Sequence, residues 1–504
     1  MKNRKLSSNK PIIWFASSSI ILAGLIVTGI LFQRAAKLSN DASTGFQQMT
    51  IPSDFVTQET MSSSGQTETT GAPTETPAEA PSEAPTETPT EAPTEAPTEA
   101  PTEAPTEAPN DNGITVIAGG KWAFGPVTWE ITSDGVLTIA GNKSIQEYNS
   151  YIWKDYSDIV TKIVVEDGIT SIPKNAFSGM ENVNSVYLGN AIKRIEENAF
   201  SSCTALQTLT LPASLETIKR YAFSHCTSLE EILLAPDSNL LSIGEYAFFQ
   251  CTNLKELQFA PNGKLETICR FAFSQTGLLH FSAPSSLRTI EHQAFAECNA
   301  LEFASLQNGI ATIRGGAFKG CSSLKHVILG ESIMDITNPF MDCIALETLE
   351  FYTSALPISF EDLPSLTNVV IGGNCTRVPP FTNDISLKTV TINAPVTEIP
   401  GYAFEGCVSL TSFSIPDGVT YIGTHAFYAS GITEIIIPSS TKELGLFPFS
   451  PPSLTQIVFE GDVPYLSNGI FSDMTLTVYY PANNATWTEE LFRRCGGNVT
   501  WIAQ

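Results

Sequence analysis

Seven of the ten cysteines stand at one recurring position, three residues after a Phe: Cys203, Cys226, Cys251, Cys298, Cys321, Cys343 and Cys407. Thiols at regular spacing could hold a soft metal or form cross-links. Structural metal sites draw their ligands from clusters such as C-x-x-C with a second pair or with His, and this chain has no such cluster. Disulfides need converging Cβ atoms. Residues at one register of a stacked array point in parallel, so these thiols are expected to be free and buried. Met180 takes the place in one unit and others shorten around Gly277 and Gly431, as a small apolar filler would allow.

The remaining candidates for chemistry are few. Five histidines, His225, His280, His292, His326 and His425, are spread along the chain. There is no G-x-S-x-G, H-E-x-x-H, Walker loop or G-x-G-x-x-G after a strand. Neighbouring carboxylates such as Glu230 and Glu231 point to opposite faces of a strand or sit in a loop, which specifies no acid/base pair. No catalytic residue, cofactor or metal site is expected, and the chain does not read as an enzyme.

What positions these residues is a repeat. Ala-Phe pairs recur at Phe177, Phe200, Phe223, Phe248, Phe273, Phe295, Phe318, Phe404 and Phe427, and the beat continues in worn form through Phe340, Phe360, Phe381, Phe449 and Phe471. That makes about fourteen units of about 20 to 25 residues, the period of a solenoid. In "CTALQTLTLPASLETIKRYAF", Leu206, Leu209 and Leu211 have L-x-x-L-x-L spacing, whose last part alternates as a strand does. Pro212 stops that strand, and Leu215, Ile218, Ala222 and Phe223 form a second apolar set. One unit has nothing to bury against itself, so stacking must build the core from columns of Leu, Ile, Ala and Phe.

The outward positions of the strands then form columns about 4.8 Å apart from turn to turn. One column brings His280, Phe303 and His326 side by side, with Leu279 and Ile328 beside them. An aromatic flanked by imidazoles and aliphatics is the composition of a recognition patch. Two His about 10 Å apart across a Phe do not make a metal site. Glu230, Glu231, Glu256 and Glu302 nearby fit a solvated face or a basic partner.

The motif "LETIKRYAFSHCTSLEEILLAP" resembles the leucine-rich repeat of the BspA-like, or Treponema-type, class, and the likeness runs from Ile163 to about Phe471. It implies a β-rich leucine-rich repeat solenoid and a cell-surface protein, with adhesion to matrix proteins, cells or other bacteria as the expected role. Units around Pro339, Pro364 and Pro379 depart from the pattern.

The ends differ in composition. Residues 1–11 are basic, and residues 12–32 are an uncharged apolar run long enough to span a ~30 Å hydrocarbon core. The excess of Lys and Arg before that run puts the N-terminus in the cytoplasm. Residues 33–112 hold a spacer with Pro at every fourth position from Pro73 to Pro109, extended and self-repelling, with a reach on the order of 110 Å. Residues 113–160 read as an N-terminal β cap with a hairpin at Asp134-Gly135, residues 161–474 as the solenoid and residues 475–504 as a C-terminal cap.

A formal net charge of -25 argues against nucleic acid as a partner. The expectation is a single-pass protein of a Gram-positive bacterium with its repeats outside, and a secreted form is the alternative. It would bind a host matrix or mucosal glycoprotein, other cells or a surface polysaccharide. A structural or shielding surface protein without a specific ligand is the competing reading.

Overall fold

The computed structural model describes residues 113–122, 126–145, 151–259, 262–307, 309–353, 360, 363–449 and 453–504. The basic segment, the apolar run of residues 12–32 and the Pro-rich spacer lie outside the described residues. No helix among the described residues is long and apolar enough to cross a membrane.

Three antiparallel strands, Val116–Lys121, Val127–Thr132 and Val136–Gly141, begin the described chain, with Gly135 in the left-handed region (φ 82°) between the last two. The third pairs in parallel with Lys162–Val165, and from there each turn adds one parallel front strand. The result is a β-solenoid of about 15 turns. A second, shorter ladder of Thr-Ile type strands, such as Thr217–Ile218, Ser242–Ile243 and Thr267–Ile268, runs down the back.

A third inter-turn ladder passes through the Ala-Phe turns and explains their sequence. The Phe N–H donates to the Ala carbonyl of the next turn, as Phe200 does to Ala222 at 2.7 Å and Phe223 to Ala247 at 2.8 Å. To make the turn, the residue before Ala and the second residue after Phe take left-handed dihedrals, as at Asn198 (φ 54°) and Ser202 (φ 60°). Asn tolerates this region and bulky residues do not. Tyr221, Tyr246 and Phe271 nevertheless occupy it, and their rings stack on one another at 4.8 and 4.7 Å, with the Arg220 guanidinium 4.8 Å over Tyr221. Stacking offsets the backbone cost.

Inside, the recurring Phe rings form a continuous stack from Phe177 to Phe340 with centroid spacings of 5.0 to 5.7 Å. Trp153 closes its N-terminal end at 5.9 Å from Phe177, and its indole N–H donates to Ala176 O at 2.9 Å.

The cysteine column is free and buried, and it also carries a bond that the spacing alone does not reveal. Each Sγ donates to the carbonyl of the Phe in the preceding turn, from Cys203 to Phe177 through Cys407 to Phe381, at 3.1 to 3.3 Å. The position is thus more than an apolar filler: in these seven turns it bonds the turn before, although Met180 fills it with no donor. Thr276 and Ser430, not a shortened turn, stand there in the two units with Gly277 and Gly431. Thr276 donates its hydroxyl to Phe273 O at 2.9 Å. Ser430 Oγ is buried with no hydrogen-bond partner among the described residues. Ser430→Cys is therefore expected to stabilise the array by about 1 kcal/mol, by removing an unsatisfied hydroxyl and supplying a thiol that reaches Phe404 O. A rise in the thermal midpoint checks it, and a fall would show that the slot cannot admit sulfur.

The worn units keep their front strands, Thr348–Phe351, Asn368–Ile371 and Thr389–Ile392, in register. Among the described residues the back ladder stops at Asp335–Ile336 and resumes at Glu398–Ile399, apart from a bridge between Arg377 and Glu398. In regular turns the residue after the back Ile donates to the Ile carbonyl one turn earlier, as Gly244 does to Ile218. Pro379 and Pro400 stand at that place and have no N–H to give.

Candidate functional site

The front ladder fixes the outward residues. His280, Phe303 and His326 are direct cross-strand neighbours, as their spacing predicts. His280 is exposed, while Phe303 and His326 are half-buried and meet edge to face at 5.3 Å. Ile328 is also half-buried and lies opposite Ser305 on one side and Glu350 on the other. Leu279 is 39% exposed and precedes the strand His280–Ser282, where it lines a cleft of about 590 Å³. The five residues thus share one surface, with Leu279 and His280 on the lip of an opening.

Two residues join them that the column pattern missed. Glu350 Oε1 lies 2.9 Å from His326 Nε2, and the Tyr352 hydroxyl donates to Glu350 Oε2 at 3.0 Å. The Glu350 carboxylate holds the Tyr352 phenol above its ordinary pKa, because the hydrogen bond favours the protonated form. Glu350 sits diagonally from His326 across adjacent strands, a contact that inspection of single columns overlooks. The pair orients His326 outward beside Phe303 and leaves it less free than a lone surface imidazole.

The acids nearby are partly engaged. Gln258 Nε2 donates to Glu231 Oε1 at 3.4 Å and to Glu256 Oε2 at 3.2 Å, and Glu302 is 3.4 Å from Lys325 Nζ. Among the described residues no group of three or more His, Cys, Asp or Glu is placed to hold a metal ion. The arrangement offers apolar contact, an aromatic edge and hydrogen bonds. These are means of recognition.

A solenoid whose turns repeat Phe, Cys and Leu in this order defines a leucine-rich repeat protein. The chain matches the BspA type leucine rich repeat region over residues 146–265, 234–347, 266–382 and 377–498, and it belongs to that family. It is similar to a leucine-rich repeat protein from Bacteroides ovatus, at 22% identity over 76% of this chain and 100% of that one, with a TM-score of 0.47. A leucine rich cell surface protein from Faecalibacterium prausnitzii is similar at 22% identity, covering 68% of this chain and 95% of that one, with a TM-score of 0.31. The pneumococcal vaccine antigen PcpA is similar at 16% identity, covering 77% and 98%, with a TM-score of 0.26. No curated protein matches this chain.

Proposed function

We propose that this chain is a membrane-tethered extracellular binding module, which uses the front strand face to adhere to a macromolecule of host or microbial surfaces. The observation that carries the reading is the outward row His280, Phe303 and His326, where the half-buried Phe303 meets His326 edge to face and is flanked by Leu279 and Ile328. Family membership supports it, since leucine-rich repeats present long strand faces to ligands. The cell-surface description of the F. prausnitzii protein accords with an external location. The apolar run at residues 12–32 and the Pro-rich spacer supply the tether and the reach in this reading.

The test is binding of the chain to arrays of matrix glycoproteins, mucins, bacterial cells and wall polysaccharides, beside a Phe303→Ser, His326→Ser double variant. Saturable binding weakened at least about tenfold in the variant is expected, because an aromatic anchor contributes about 2 kcal/mol or more. The fold should persist, since both side chains lie outside the core. Binding unchanged in the variant would remove the site, and no binding to any surface would favour a shielding role.

A further inference from the structure

The front ladder is interrupted. No residue of Glu256–Gln258 pairs with His280–Ser282, although the back strands of the same two turns, Thr267–Ile268 and Thr289–Ile290, stay in register. One backbone bond, from Leu279 N to Lys255 O at 3.3 Å, holds the two front strands at their N-terminal ends. Beyond it they part, and the 590 Å³ cleft opens between them.

The cause is a residue type. At the inward position that holds Leu209, Ile232, Leu257 and Val327 in other turns, this turn has Phe281. Its ring packs 4.4 Å from Phe295 and 6.4 Å from Phe318. The larger ring is buried opposite the small Ala304 of the next turn, and its strand stays paired on that side while standing apart from Glu256–Gln258 on the other. The same type recurs at the same register in Phe413, 5.0 Å from Phe404 and 5.1 Å from Phe427. There residues 411–415 form no strand, and a second cleft of about 680 Å³ opens.

Each opening leaves a strand wall uncovered. Leu257 beside the first and Val390 beside the second are only half-buried, whereas Leu209, Ile232 and Leu349 at the same register are fully buried. Backbone groups that would have joined the ladder face the clefts without partners on that side. An extended chain with one apolar face is the ligand that satisfies both, because only a peptide backbone presents N–H and C=O groups at strand spacing. The rims select its charge. Glu256 and Lys255 both line the first cleft, with Glu231 one strand further back and joined to Glu256 through Gln258, while Asp417, Glu434 and Glu460 outnumber Lys388 around the second.

We propose that the two openings are docking slots for an extended, basic polypeptide segment, which adds backbone hydrogen bonds to the parted front strands and covers their exposed apolar wall. This rests on the reading of the front face as the binding surface and adds the chemistry of the occupant.

The probe is a short fluorescein-labelled peptide of alternating Lys and Val, titrated against the full chain at about 0.15 M salt, where long-range charge attraction is screened. Its controls are the same peptide N-methylated at alternate nitrogens and an alternating Glu and Val peptide. Saturable binding of the Lys peptide is expected, at least about tenfold weaker after N-methylation, as the loss of two or more backbone bonds implies. It should also weaken in Glu231→Lys, Glu256→Lys, whose side chains lie outside the core, and in Phe281→Leu, Phe413→Leu, which lets the strands close. Equal binding of the N-methylated peptide, or no saturable binding, would overturn the slots. If the array ligands bind and are lost in Phe303→Ser, His326→Ser while no peptide binds, the front-face reading stands and the slots fall. Peptide binding without any array ligand would support the slots and the front face as a binding surface, and would overturn only its assignment to those host or microbial surfaces.

Discussion

Phe223→Ala is expected to destabilise the array by about 3–5 kcal/mol, the cost of emptying a large aromatic site in a close-packed core. The ring is fully buried and lies 5.1 Å from Phe200 and 5.3 Å from Phe248, with planes 2° from parallel on both sides. Its loss removes transfer free energy and both stacking contacts, each worth about 0.5–1.5 kcal/mol beyond burial. Collapse around the void is opposed by three ladders, front, back and Ala-Phe, which fix the spacing of the turns on either side. Because each turn touches only its neighbours, the damage falls at one interface, and the melting curve should broaden or split as the two halves uncouple. Phe303→Ala, which removes the same ring from the half-exposed front face, should cost about 1 kcal/mol or less. Circular dichroism melts of the two variants make the comparison. Equal losses would mean that the recurring Phe is not the spine of the core.

That contrast bears on how much of the molecule was legible in its residues. The period, the inward columns and the cross-strand adjacency of His280, Phe303 and His326 all follow from which positions are apolar and how far apart they lie. The thiol bonds did not, because hydropathy treats Cys as a filler. A hint lay in two of the exceptions, Thr276 and Ser430, which carry hydroxyls at the cysteine register, although Met180 there does not. The parted front strands were also written in the chain, as Phe281 and Phe413 at positions that are aliphatic in neighbouring turns. Recognising them requires knowing how the turns accommodate a ring at that register, which is a matter of packing and not of pattern. Glu350 and Tyr352 escaped notice because their link to His326 is diagonal, set by register between two turns. In the worn units the prolines marked the trouble correctly, but only the position of the missing N–H shows that the back ladder yields while the front one holds.

The thiol column makes a second large effect predictable: stability should fall steeply above about pH 9. Burial pushes the thiols of Cys203, Cys226 and Cys321 well above their ordinary value and those of Cys375 and Cys495 up to about 11. Cys407 is pushed up to about 12, by burial first and then by the neighbouring Asp384 carboxylate. A thiol is neutral when protonated, so these six keep their protons to higher pH in the folded array than in the unfolded chain, whereas Cys298, despite its burial, is held below the ordinary value by hydrogen bonds from Cys321 and Thr276 and acts in the opposite sense. Below the ordinary value near 9 both states are protonated and the stability from these groups is complete. Above it the unfolded chain ionises first, and each such thiol withdraws up to about 1.4 kcal/mol per pH unit until its folded pKa is reached. With several thiols acting together, the thermal midpoint should hold between pH 7 and 8 and drop by about 10 °C or more from pH 9 to 10. Tyr and Lys titrate in the same range, so the assignment needs a variant. Cys226→Ala, Cys321→Ala loses the bonds to Phe200 O and Phe295 O and should melt lower at neutral pH, yet its decline should be shallower by up to about 2.8 kcal/mol per unit. The two curves should therefore converge as the pH rises, whereas parallel curves would assign the alkaline loss to groups other than the buried thiols.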